Sequence, residues 1–191
     1  MKRVCLAVLF VALAACAKNS NPTVATPPPG SAAPSTVPRT GQSIVVTSTS
    51  FAADAEIPVK YSCQGANVSP ELSWKNVPPE AKELALVVFD PDAPGGGFLH
   101  WVVFKIPVTA TSFAEGSIPA GARQATNGTG KATYQSPCPP TPGKVHHYQF
   151  TLSALSALID LPNVAQGSAV RSEIAKKKIA DGLLVGLYER H

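Results

Sequence analysis

Two carboxylates, two imidazoles and two phenols are the groups in this chain whose types and spacing could do chemistry together. Asp90 and Asp92 stand two apart around Pro91, and His100 follows after Pro94 and the triplet Gly95 to Gly97. His146 and Tyr148 also stand two apart, downstream of Tyr134 and the stiff stretch Ser136-Pro137-Cys138-Pro139-Pro140. Four chemistries compete for this set. In the first, imidazoles and nearby backbone amides hold an anion while the carboxylates orient the rings; a carboxylate on one ring nitrogen fixes the tautomer and favours the protonated ring. In the second, Asp and His ligate a metal. The chain contains no His-Glu-x-x-His run and no Cys-x-x-Cys pair, so no metal is assigned. In the third, Cys138 is a nucleophile with a histidine base, but a cysteine between two prolines has no helix N-terminus to activate it. In the fourth, the histidines are satisfied core residues. The residues alone leave these open; none supplies a catalytic signature, and no cofactor is implied.

The elements that must position these groups are strands. Leu84 to Phe89 is apolar throughout and reads as a strand buried on both faces. Pro91 removes a backbone donor and helps end it, leaving Asp90 and Asp92 at its tip. A second strand begins near His100, and strict alternation puts His100, Val102, Phe104 and Ile106 on one interior face. Val145 to Leu155 reads as a long strand, with His146, Tyr148, Phe150 and Leu152 inward and His147, Gln149, Thr151 and Ser153 toward solvent. Shorter strands are expected at Ile44 to Ser48, Val59 to Cys63, Leu72 to Trp74 and Leu183 to Tyr188. One helix is expected, capped by Ser168, carrying Val170, Ile174, Ala175 and Ile179, and stopped by Gly182. Ala154 to Leu161 reads as a short helix or turn that Pro162 stops. The fold class that follows is mainly β: an antiparallel two-sheet sandwich with a C-terminal helix.

The 191 residues hold one domain's worth of core behind a targeting segment, at 45% hydrophobic content. Lys2 and Arg3 precede the apolar run Val4 to Leu13, which is too short to span a bilayer. Leu13-Ala14-Ala15-Cys16 resembles a bacterial lipobox, which implies removal of residues 1–15 and acylation of Cys16. Several acyl chains anchor stably where one does so only marginally. Residues 16–42 are rich in Pro, Ala, Ser and Thr and read as a tether, with the domain occupying 43–191. Ala17 is not aspartate, and the resemblance then places the protein on the periplasmic side of the outer membrane if the cell has two membranes. Loss of Lys2 and Arg3 leaves +2 of the formal charge of +4, and Lys176-Lys177-Lys178 reads as a solvated helix face. Nothing suggests nucleic-acid binding. With Cys5 in the leader and Cys16 lipidated, Cys63 and Cys138 remain as an even pair in an exported domain, where a disulfide is the expected state and two independent buried thiols the alternative.

Several ordered motifs resemble the phosphatidylethanolamine-binding protein family, in particular its bacterial, Raf kinase inhibitor-like branch. They are Tyr61-Ser62-Cys63-Gln64-Gly65, Asn67-Val68-Ser69-Pro70-Glu71-Leu72-Ser73-Trp74, Asp90-Pro91-Asp92-Ala93-Pro94, His100-Trp101-Val102-Val103-Phe104, Pro137-Cys138-Pro139-Pro140 with His146-x-Tyr148, and Leu184-Val185-Gly186-Leu187-Tyr188. The resemblance implies a two-sheet sandwich with a pocket for phosphate-like anions and phosphorylethanolamine head groups. By motif, Asp90, Asp92, Pro94, His100, His146 and Tyr148 would line it, with Pro139 and Pro140 at its rim. His100 and His146 would donate to the anion, Asp90 and Asp92 would orient imidazoles or take an ammonium, and Tyr148 would pack and offer its hydroxyl. The partners expected are therefore a small anion or phospholipid head group, and a membrane through the anchor. An inhibitor or scaffold using rim residues Phe98 and Gln135, and a hydrolase using the Asp and His groups, are the alternatives. Gln64 stands where relatives usually carry Asp, Gln135-Ser136 where they carry Gly-Gly, and His147 where an arginine is common.

Overall fold

Residues 44–140 and 142–190 are described by a computed structural model. The targeting segment, Cys16 and the tether lie outside the described residues. The centre of the fold is the continuous apolar run, which forms β4 (Glu83–Asp90). On one side it pairs antiparallel with β5 (Phe98–Ile106) and on the other with β8 (His146–Leu155). With β2 (Ala55–Glu56), β7 (Arg123–Gln124) and β9 (Lys178–Tyr188) these make a six-stranded sheet of order β2-β9-β8-β4-β5-β7. A three-stranded sheet of order β1-β3-β6 comprises β1 (Val45–Thr47), β3 (Leu72–Lys75) and β6 (Ser112–Phe113). The pairing is antiparallel except between β2 and β9. The helix α1 (Gly167–Lys177) covers the other face of the large sheet. The fold is thus the mainly β, two-sheet class expected.

Two apolar layers follow from the period-2 alternation of the central strands. Leu86, Val88, Phe150 and Leu152 meet Val46, Leu72 and Trp74 between the sheets. There Trp74 and Trp101 both stand edge-on to Phe113, at ring distances of 5.3 and 5.6 Å. Ala85, Val102 and Phe104 pack instead against Val170 and Ile174 of α1.

Strict alternation fails in β5, and the failure positions the site. Val88 pairs with Trp101 but Phe89 pairs with Leu99, so His100 is an extra residue with no partner of its own. Leu86 pairs with Val103 and Leu84 with Ile106, so a second bulge lies at Phe104 and Lys105, where Lys105 has φ +54°. Val102 and Phe104 face α1, while Trp101, Val103 and, past the second bulge, Ile106 face the sandwich interior. The single-face expectation for His100, Val102, Phe104 and Ile106 is therefore corrected: a bulge changes the side on which alternation resumes.

Other departures have similar causes. Val59–Tyr61 is a 3₁₀ turn rather than a strand, because Pro58 opens it and the Ser62 hydroxyl donates to Val59 O at 2.8 Å. The helix begins at Gly167, with Gln166 rather than Ser168 at its cap, and passes directly into β9 at Lys178. Residues 178–182 carry a helix-like sequence, but they pair with the far end of β8, and satisfying that long edge outweighs local propensity. β8 continues through Leu155 and is not followed by a helix at Ala154 to Leu161; Ile159 N–H is taken by the Glu83 carboxylate instead. Ser153 is buried and Gln149 and Thr151 half-buried, since the α1 side of β8 is roofed by the helix.

Gly182 therefore ends no helix. An added Cβ would lie 2.0 Å from Ile44 O, where β1 enters against β9. Gly182→Ala is expected to cost about 1–3 kcal/mol through overpacking, read as a lower urea midpoint with an unchanged slope.

Candidate anion-binding site

Asp90 ends β4 beside Pro91, and its two carboxylate oxygens have different partners. Oδ1 accepts the Asp92 N–H at 2.9 Å, the local turn that aspartate favours. Oδ2 accepts His146 Nδ1–H at 2.8 Å and lies 3.9 Å from His100 Nε2. His146, Asp90 and His100 are 1%, 2% and 5% exposed, so their interactions are little screened by water. The return from Asp92 to Phe98 is closed by Gly95, Gly96 and Gly97 at φ +83°, +93° and +108°, a left-handed run that glycine alone makes cheaply.

The opposite wall is the segment from Gln135 to Pro140. Gln135 exchanges two hydrogen bonds with His100: its N–H donates to His100 O at 3.0 Å, and its carbonyl accepts His100 Nδ1–H at 2.8 Å. Ser136 N–H donates to Asn67 Oδ1 at 3.1 Å, and Cys63 N–H donates to Pro137 O at 3.0 Å. Cys63 and Cys138 form the expected disulfide, and an Arg190 Nη2–H donates to Pro140 O at 2.5 Å. Prolines at 137, 139 and 140 cannot donate, so side chains and the disulfide do the holding that a strand ladder would otherwise do.

The space between the walls is a cavity of about 220 Å³. Asp90, Pro94, His100, His146, Tyr148 and Pro139 line it, together with Pro140 at its edge. Asp92 is not among the lining residues. Its Oδ2 accepts both the backbone N–H and the ring Nδ1–H of exposed His147, at 2.8 Å each. Those bonds hold the Asp92 carboxyl below the usual carboxylate range. Phe98, Ser136, Gln135, Cys138 and Thr129 also line the cavity. Phe98 and Tyr148 stand edge-on to His100 from opposite directions in the sequence, at 4.7 and 5.1 Å. Gln64 takes no part in it; its Oε1 accepts the Tyr188 hydroxyl at 2.6 Å.

Tyr148 OH, on β8, and Ser136 Oγ, in this wall, are fully buried and make no well-formed hydrogen bond, although the Tyr148 hydroxyl lies close enough to the Asp90 carboxylate and the Cys138 N–H to feel both. Native interiors rarely leave such groups unpaired, so each is a donor available to an occupant. Burial, with a smaller contribution from the Asp90 charge, pushes the Tyr148 phenol well up, so it stays protonated. Burial also pushes the His100 imidazole below its ordinary value, against the opposing pull of the Gln135 carbonyl and Asp90. Among the described residues no group of three or more His, Cys, Asp or Glu side chains has the arrangement to hold a metal ion. Asn67 is the residue sequence reasoning passed over, whereas Ser136 is marked there, with Gln135, as standing where relatives carry Gly-Gly. Asn67 sits at φ +52°, a conformation asparagine tolerates better than most residues, and that is the signal that could have marked it.

A larger groove of about 490 Å³, reaching Asn67, Gln124 and Lys131, backs onto the same Tyr134-Gln135 segment. It contains none of the carboxylates or imidazoles, which line the smaller cavity instead.

Residues 47–189 match the phosphatidylethanolamine-binding protein family. A Mycobacterium tuberculosis H37Rv protein named "Putative lipoprotein LppC" is 40% identical over 185 residues, spanning 95% of this chain and 92% of its own length. A Methanothermobacter thermautotrophicus protein named UPF0098 is 42% identical over 139 residues, 70% of this chain and 91% of that one. The crystal structure of Escherichia coli YbcL, described as a member of the mammalian PEBP family, superposes with a TM-score of 0.73 at 34% identity, covering 78% of this chain and 99% of that one. With the family match, the motifs, the shared fold and these relatives in agreement, the chain belongs to the phosphatidylethanolamine-binding protein family.

Proposed function

We propose that the cavity binds a small oxyanion of the phosphate or phosphorylated head-group class, and that the protein acts by binding. The observation that carries this reading is the pair of buried, unpartnered hydroxyls on Tyr148 and Ser136, set in one wall system with two imidazoles. An anion's oxygens supply the acceptors those donors lack. Asp90 fixes the His146 ring, Gln135 fixes the His100 ring, and Pro94, Pro139 and Pro140 stiffen the edge. No turnover is assigned. Neither Ser136 nor Tyr148 donates to an imidazole, Cys138 is held in the disulfide, and Thr129 Oγ1 donates to Asn127. The reading further includes an envelope location through acylated Cys16, and the periplasmic side of an outer membrane where one exists. The Leu13 to Cys16 motif and the name of the mycobacterial relative support it.

The test is calorimetric titration of the purified protein with phosphate and with phosphorylethanolamine. Saturable binding is expected, weakened about tenfold by His146→Ala and by His100→Ala, in line with losing one hydrogen-bonding group of the cavity wall. Absence of saturable binding to the folded wild-type protein would refute the anion reading.

A further inference from the structure

The hydrogen-bond directions around the two rings restrict the kind of anion that fits; this step rests on the anion reading above. A carboxylate and a carbonyl only accept, so His146 Nδ1 opposite Asp90 Oδ2 and His100 Nδ1 opposite Gln135 O both carry hydrogen. Burial disfavours the charged form of the His100 ring, and in a neutral ring that carries its hydrogen at Nδ1, Nε2 is a bare acceptor. Asp90 is a third acceptor, 3.9 Å from His100 Nε2. Against these stand the Tyr148 and Ser136 hydroxyls as donors, and neither Lys nor Arg lines the cavity.

The remaining titratable neighbours do not change this balance. Tyr148, on β8, stays a neutral phenol. The wall from Gln135 to Pro140 brings only Cys138, which is in the disulfide. The Asp92–His147 pair lies on the exposed side of β8. A fully ionised oxyanion therefore meets lone pairs and an unscreened carboxylate unless a hydrogen is added between them.

We propose that the cavity takes its oxyanion together with a proton, and that Asp90 sets this requirement, so that it selects inorganic phosphate, which keeps a P–OH in neutral solution, over sulfate, which keeps none. The P–OH donates to Asp90 or to a bare Nε2, while the other oxygens accept from Tyr148 and Ser136. Sulfate fits only after one ring has been protonated from solution. Sites built around a donor reject analogues lacking it by as much as about 10⁴-fold, and here, in a cavity open to solvent on one side, about 100-fold or more is expected.

The experiment titrates the purified protein with inorganic phosphate and with sulfate at equal ionic strength. It is run at about pH 7.5 and about pH 5.5, below the ordinary histidine value. Two buffers of different ionisation enthalpy count the protons taken up. Phosphate is expected to bind about 100-fold more tightly than sulfate at the higher pH. Sulfate should gain at least about tenfold at the lower pH and bring close to one proton from solution. Asp90→Asn, which keeps the shape and replaces the charge by an amide donor, should bring the two anions to within about threefold at the higher pH. Equal affinities in the wild-type protein at the higher pH, or sulfate binding without proton uptake, would overturn this inference and leave the anion reading intact. Failure of both anions to bind the folded protein would overturn both. The wild-type comparison decides the matter even if Asp90→Asn does not fold.

Discussion

Replacing Cys63 and Cys138 by serine should lower the unfolding free energy by about 2–5 kcal/mol. The two cysteines are 75 residues apart in sequence, so the disulfide removes much of the freedom of the unfolded chain. Few other bonds would replace it. Pro137, Pro139 and Pro140 have no backbone donors, and this wall is otherwise held by Gln135, Asn67, Cys63 N–H and Arg190. Urea titrations of wild type, the double serine variant and the reduced wild-type protein measure the effect. The variant and the reduced protein should agree. A change below about 0.5 kcal/mol would mean that the native wall holds without its staple. Because Cys138 lines the cavity, phosphate affinity should fall in both as well.

Glu83→Ala should be nearly as damaging, at about 3 kcal/mol or more, although Glu83 lies far from the anion cavity in every contact it makes. The residue is 3% exposed. Oε1 accepts Lys105 N–H at 2.9 Å and Oε2 accepts Ile159 N–H at 3.0 Å. The first bond holds the left-handed bulge at Lys105, and the second holds the segment that leaves β8. Truncation strands two backbone donors and leaves a void, and each stranded donor costs about 1–3 kcal/mol. Glu83→Gln keeps one carbonyl acceptor but turns an amide N–H toward the other donor, so an intermediate loss is expected. Thermal or urea unfolding of the two variants checks the order. Equal stability of Glu83→Ala and wild type would show that water satisfies both donors.

Much of the framework was legible because burial leaves a pattern in residue type. The run Leu84 to Phe89 could be read as a doubly buried strand, since nothing polar interrupts it. In Val145 to Leu155 the alternation put His146 and Tyr148 on the face of Phe150 and Leu152, which is where they lie. The cysteine pair followed from counting. The site was legible less evenly: Asp90, His100, His146 and Tyr148 do share a cavity, but Asp92, two residues from Asp90, belongs to His147 on the exposed side. Two acidic residues flanking one proline look equivalent in sequence, and only the strand end decides which carboxylate faces inward.

By itself the sequence determined the mainly β class, the three central strands, the disulfide and most of the polar groups of the cavity. These depend on composition, alternation and cysteine number, which are local properties. Tertiary structure decided the rest. A pairing offset with β4 makes His100 a bulge, and that places its ring beside Asp90 and Tyr148. The free edge of β8 converts residues 178–182 from helix to strand. Asn67, 69 residues from Ser136, fixes the wall that carries Gln135 and Ser136. Each of these depends on which segment a residue meets across the fold, and hydrogen-bond demand between distant segments leaves no periodic mark in the chain.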